Sequence, residues 1–214
     1  MHAPSNGGRK GTDEFRKCIC ELKKKDDIEY IELSWGSNRQ ILEEIKRCDF
    51  VLDQLYSDTP LATFALEAAY YGKQAIVSGY FTEYYKNNYS NGSCPPTMYV
   101  PPEKLYEVVD KMICDVSFRK RSGMEAQVFV KKYMNSKAVA ERFYKANNGD
   151  IASEWIFHPL KVGYLESCGV KREVQRQIIT EMYNKCSIEK MGTEGTPLLT
   201  KEIMEVVCGG GEKL

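Results

Sequence analysis

The sequence predicts an α/β protein, a Rossmann-like, doubly wound parallel sheet followed by a mostly helical C-terminal extension. Three observations lead there. Short apolar runs, Phe50-Val51-Leu52 and Gln74-Ala75-Ile76-Val77-Ser78, read as strands. Segments whose apolar residues recur at helical spacing lie between them, and this alternation indicates a parallel sheet covered on both faces. From Ile151 onward the strand signal stops.

The elements follow in order. Only Met1, His2 and Ala3 precede the loop at Pro4-Ser5-Asn6-Gly7-Gly8, so the first strand is expected to be incomplete. Thr12-Asp13-Glu14 starts a helix carrying Phe15, Ile19 and Leu22, and Lys23-Lys24-Lys25 favour its C-terminal end. Ile28 to Leu33 alternates as a half-buried strand. Asn38 is the expected cap of a second helix with Ile41, Leu42 and Ile45. A third helix runs through Ala62 to Tyr71 and stops at Gly72, with Pro60 placed near its first position. After a Tyr- and Asn-rich loop from Gly79 to Ser93, Pro101-Pro102 opens a helix with Leu105, Val109 and Met112, and helical patterns continue to Tyr144. Asn147-Asn148-Gly149-Asp150 breaks them. The expected domains are therefore residues 1–148 and an extension, 149–214, with one helix from Lys171 to Lys185 and a Gly-rich end.

Composition narrows the function classes. Thirty Lys and Arg balance thirty Asp and Glu over 214 residues, which argues against a basic nucleic-acid binder. No apolar run reaches the roughly 18 residues a transmembrane helix needs, and the N-terminus lacks a basic-then-apolar signal, so a cytoplasmic location is expected. Eight cysteines with only two histidines, His2 and His158, fit neither zinc spacing nor a disulfide scaffold, and are expected to be reduced, mostly buried thiols.

The loop Ser5-Asn6-Gly7-Gly8-Arg9-Lys10-Gly11-Thr12 joins the first strand to the first helix, where open α/β sheets bind ligands. Its glycines allow close backbone approach, and Arg9 and Lys10 supply positive charge. Phosphate binding and an ordinary solvated basic turn both fit, because the residues match neither the P-loop nor the dinucleotide fingerprint. Glu67 is the one charged residue of Pro60 to Tyr71. Burial against the sheet would demand a partner for it, either ligand hydroxyls or a neighbouring Lys, Arg or backbone amide. Asp53 to Thr59 leads into the same helix, whose start offers free amides to a diphosphate.

These residues together resemble a known family. His2-Ala3-Pro4-Ser5-Asn6 with Lys10-Gly11-Thr12, then Cys48 to Leu55, Ala65-Leu66-Glu67-Ala68-Ala69 and Gly72-Lys73-Gln74-Ala75 are similar, in order and spacing, to the C-terminal half of GT-B glycosyltransferases of the retaining family-four type, the glycosyl transferases group 1. Gly149-Asp150-Ile151, Trp155 and Pro159 resemble a tail of some members. The resemblance implies a hexosyltransferase of carbohydrate biosynthesis that moves a sugar, with retention, from a nucleoside-diphosphate sugar to a hydroxyl acceptor. Lys10, helped by Arg9, would hold the diphosphate as the catalytic contribution. Glu67 would take the ribose hydroxyls, and Ser5, Asn6, Thr59, Pro60, Leu61 and Ala62 would line the donor site.

The nucleotide sugar would be a substrate, with no cofactor and no metal. The family also holds its acceptor, carbohydrate or lipid-linked, in an N-terminal half that these residues do not include, so part of a longer enzyme is expected. A nucleotide-binding module without catalysis is the alternative, and a GT-B epimerase a third. One departure stands: many relatives carry a second glutamate where this chain has Thr59, beside Asp58. Trp35, Trp155 and Phe157 are expected to pack, His158 has no catalytic partner pattern, a sugar or phosphate contact is the lesser reading for His2, and the aromatic loop Tyr80 to Tyr85 is either a donor-sugar contact or an ordinary surface loop.

Overall fold

The computed structural model describes residues 1–34, 36–57, 59–80, 95–155, 172–193 and 195–209. Two compact units divide the chain, Met1–Ile156 and Phe157–Leu214.

The first unit is α/β. Strands β1 (Phe50–Leu52), β2 (Gln74–Ser78) and β3 (Met98–Val100) form an open parallel sheet in that order, with Val51 opposite Ala75 and Val77 opposite Tyr99. His2 extends it by single parallel bridges to Leu52 on one side and Glu32 on the other. The order across the edge is thus Glu32, His2, β1, β2, β3. The run from Ile28 to Leu33 contributes a bridge and not the expected full strand. Its backbone bonds go to one residue, from the His2 amide to the Ile31 carbonyl (2.8 Å) and from the Leu33 amide to the His2 carbonyl (3.0 Å).

Alternation along the strands sends side chains to two cores. Leu52 and Ile76 join Phe15, Ile19 and Leu22 of α2 (Thr12–Leu22) and Leu105, Val109 and Met112 of α5 (Leu105–Cys114). Val51, Ala75 and Val77 face Ile45 of α3 (Asn38–Arg47) and Ala65 and Ala68 of α4 (Thr63–Tyr70). Helices therefore cover both faces, as continuous burial of β2 requires. A short helical turn, α1 (Gly7–Lys10), precedes α2, and α6 (Val116–Tyr133) and α7 (Ser136–Asn147) complete the unit.

Local chemistry sets the boundaries. The cap of α3 is Ser37 and not Asn38: the Ser37 hydroxyl accepts from the Gln40 amide while Gln40 bonds back to the Ser37 amide, a capping box. Helix α4 begins at Thr63, so Pro60 lies ahead of the first turn and not within it. Gly72, past the C-terminal end of α4, turns the chain at φ 73°. Gly123 lets α6 press on this corner, since a Cβ there would stand 2.2 Å from the Gly72 carbonyl oxygen.

The second unit pairs α8 (Arg172–Lys190) with α9 (Pro197–Val207), burying Ile179 and Ile203. Helix α9 occupies part of what the sequence offered only as a Gly-rich end. Pro197 at its first turn, followed by Leu198, Leu199 and Ile203, is the signal that identifies it. The described cysteines are free thiols, but the expectation of burial is corrected: Cys20, Cys114, Cys186 and Cys208 are exposed, and Cys18 and Cys48 only partly covered.

Candidate functional site

The strand order puts the turn after Met1–Ala3 and the turn after β1 side by side at the carboxyl edge of the sheet. Chain connections leave in opposite directions from these two neighbours, which opens a crevice between them. Lys10 comes from one side and Asp53 from the other. The Lys10 Nζ donates to Asp53 Oδ1 at 3.1 Å, with the Lys10 side chain 19% exposed and that of Asp53 only 1%. Asp53 Oδ2 is buried and receives no hydrogen bond. Ser78, at the end of β2, likewise keeps its buried hydroxyl unpaired.

Lys10 is placed by backbone geometry. The Asn6 side chain accepts from the Arg9 amide and caps α1, and the Lys10 amide bonds to the Asn6 carbonyl. Gly11 then turns the chain at φ 72°, packed so closely on Leu55 that a Cβ would meet the Leu55 Cβ at 2.4 Å. The Leu55 amide donates to the Lys10 carbonyl at 3.2 Å. Asp53 is held from the sheet side, where its amide bonds to the Ile76 carbonyl. Asp53 falls within the stretch Cys48 to Leu55 that carries the family resemblance, which implies no role for it. An acid directly after a buried apolar strand, at the ligand edge, is the signal that finds it.

His2 lies beneath this crevice, fully buried. Its Nδ1 meets the Leu52 carbonyl oxygen at 2.7 Å and its Nε2 meets the Thr12 hydroxyl at 2.9 Å. The carbonyl only accepts, so Nδ1 carries the proton and Nε2 accepts from Thr12. Burial pushes the His2 pKa down, the Leu52 bond partly opposing it. Both nitrogens are used and the ring packs edge-on against Phe15. Both ring bonds are internal, so His2 has a structural role, and the sugar or phosphate contact, the lesser of its two readings, does not apply.

The remaining predicted residues divide. Arg9 and Ser5 are exposed at the crevice turn. The Thr59 amide donates to the Ser57 hydroxyl, the Leu61 amide approaches the Thr59 hydroxyl at 3.4 Å, and Pro60 is buried and has no amide hydrogen. No side chain caps α4 at Ala62, so its first-turn amides begin at Thr63. Glu67 is half-buried and not deeply so. It accepts from the Asn38 Nδ2 at 3.0 Å, a side-chain amide and not the expected Lys, Arg or backbone amide. Trp35, Asp58, Phe157, His158 and the loop from Phe81 to Tyr85 lie outside the described residues; Trp155 is 41% exposed.

Among the described residues one cluster has metal-ligand spacing, Asp26, Asp110 and Cys114, remote in sequence from the crevice turns. Lys25 already pairs with Asp110 there. Comparison of the chain with protein-family models, curated proteins and solved structures returns no match.

Proposed function

We propose that the first unit is a nucleotide-sugar donor domain of the GT-B glycosyltransferase kind, with a doubly wound, Rossmann-like sheet. The observation that carries this reading is the Lys10–Asp53 pair, a partly covered cation held on a buried acid at the switch point between the His2 segment and β1. Lys10 turns from Asp53 to the donor diphosphate, and exposed Arg9 adds a second charge. The uncapped first turn of α4 presents amides and a positive dipole end to the same anion.

In transfer, negative charge grows on the departing diphosphate as the bond to the sugar breaks. Fixed cations and amides stabilise that charge and hold the leaving group in line, which lowers the barrier through electrostatics and positioning. Glu67 takes the ribose hydroxyls in place of Asn38. The acceptor is a hydroxyl of a carbohydrate or lipid-linked molecule, met in the cytoplasm.

Calorimetric titration with UDP, GDP and their sugars tests the reading. Binding by the native chain that weakens at least tenfold in Lys10→Ala supports it. Equal affinity in the two proteins overturns the role of Lys10, and absence of any nucleotide binding by the native chain overturns the donor site.

A further inference from the structure

The segment from Val116 to Asn147 contains eight Lys and Arg against two acids, Glu125 and Glu141, although the whole chain is balanced. Not all of this charge faces outward. Arg119 bonds the carbonyls of Met112 and Ile113 and pairs with Asp49 at 3.0 Å. Lys120, Arg121, Lys131 and Lys132 are exposed, and none of them forms an ion pair among the described residues.

Exposure along α6 recurs at Val116, Lys120, Met124, Val128 and Lys132, the spacing of one helix face. The centre of that face is apolar and open: Met124 is 65% and Val128 66% exposed. Lys120 and Arg121 stand one turn before it and Lys131 and Lys132 one turn after. Pro96, Phe129 and Tyr133 floor a shallow hollow of about 930 Å³ alongside. On α7, Phe143 and Tyr144 are also open to water. No described helix is long and apolar enough to cross a membrane, so this is a surface feature.

Apolar groups bracketed by long cationic stems match the boundary of a bilayer, where methyl and thioether groups enter between acyl chains and ammonium heads stay with lipid phosphates. We propose that this face of α6 docks on an anionic lipid surface, with Met124 and Val128 inserted and Lys120, Arg121, Lys131 and Lys132 on the headgroups. The inference stands independently of the donor-site reading.

Co-sedimentation of the full chain with vesicles tests it. Vesicles of phosphatidylcholine mixed with phosphatidylglycerol are expected to bind the chain, and pure phosphatidylcholine vesicles to bind it far less. Lys120→Gln/Arg121→Gln should weaken anionic binding by about fivefold per charge, about 25-fold together. Met124→Ser/Val128→Ser should weaken it by roughly tenfold at unchanged charge. All four positions are exposed, and circular dichroism checks that the variants fold. Equal binding to neutral vesicles, or retention by both variants, overturns the proposal. So does binding to an acidic peptide or to polyuridylate with none to anionic vesicles, which would assign the face to a protein or RNA partner.

Discussion

Lys10 and Asp53 come from opposite sides of the crevice and meet at 3.1 Å, with the acid almost wholly out of solvent and one of its oxygens unpaired. The pair makes the fold and the proposed anion site interdependent. A ligand phosphate that draws Lys10 away must compensate a buried carboxylate, and the affinity measured is the difference between the two interactions.

Loss of Lys10 strands that carboxylate. Lys10→Met is expected to cost about 2 kcal/mol in urea unfolding, below the usual range for a buried pair because Lys10 is partly solvated. The double variant Lys10→Met/Asp53→Leu should recover most of that loss. Asp53→Asn, which frees Lys10, should tighten inorganic diphosphate binding; a weaker affinity would instead mark Asp53 as the group that aims the lysine.

Gly11 packs directly on Leu55, with no room for a Cβ. Gly11→Ala combines a strained φ with a clash on Leu55, and an expected loss of about 2–4 kcal/mol follows. Gly8→Ala, whose Cβ would find its nearest atom at 3.7 Å, is the control and should lie within about 0.5 kcal/mol of the native chain.

His2 makes stability depend on pH. Its folded pKa lies below the ordinary 6.5, chiefly through burial, so the unfolded chain binds a proton more readily than the folded one. The stabilisation is present above pH 6.5 and is lost as pH falls through the lowered value. Denaturation midpoints between pH 7.5 and 5 should fall more steeply for the native chain than for His2→Gln, and parallel curves would count against the assignment.

Glu67 separates two parts of a ligand. On the proposed reading, Glu67→Gln weakens UDP by about tenfold while leaving inorganic diphosphate unchanged, because only the nucleoside carries ribose hydroxyls. Equal effects on both ligands would place Glu67 outside the ribose site.

Much of the frame was legible in the chain. Strands β1 and β2 coincide with the apolar runs Phe50–Leu52 and Gln74–Ser78, since burial leaves little choice of residue type, whereas the partly buried β3, Met98–Val100, carries no such signal. Helix ends were harder: Asn38 and Ser37 are both good caps, and only the Gln40 side chain, bonding back, decides between them. The basic turn with Lys10 was visible from its glycines and charge. Its partnership with Asp53 was not, because 43 residues separate them and the strand order brings them together. The role of His2 was hidden for the same reason, since its Leu52 acceptor lies 50 residues away.

The backbone past β1 remains stitched to β2. Asp53 donates to Ile76, Ser78 to Gln54, and Ser57 to Ser78, whereas the turn bearing Lys10 is hydrogen-bonded to this segment, among the described residues, only through the amide of Leu55 and the ion pair, besides the packing of Gly11 on Leu55. The two walls of the crevice therefore differ in stiffness. On the proposed donor-site reading, a ligand would move the lysine turn and leave the acidic wall where it is. Amide exchange should report this as a fast Leu55 signal beside slow Ser57 and Ser78, a hinge on one side only.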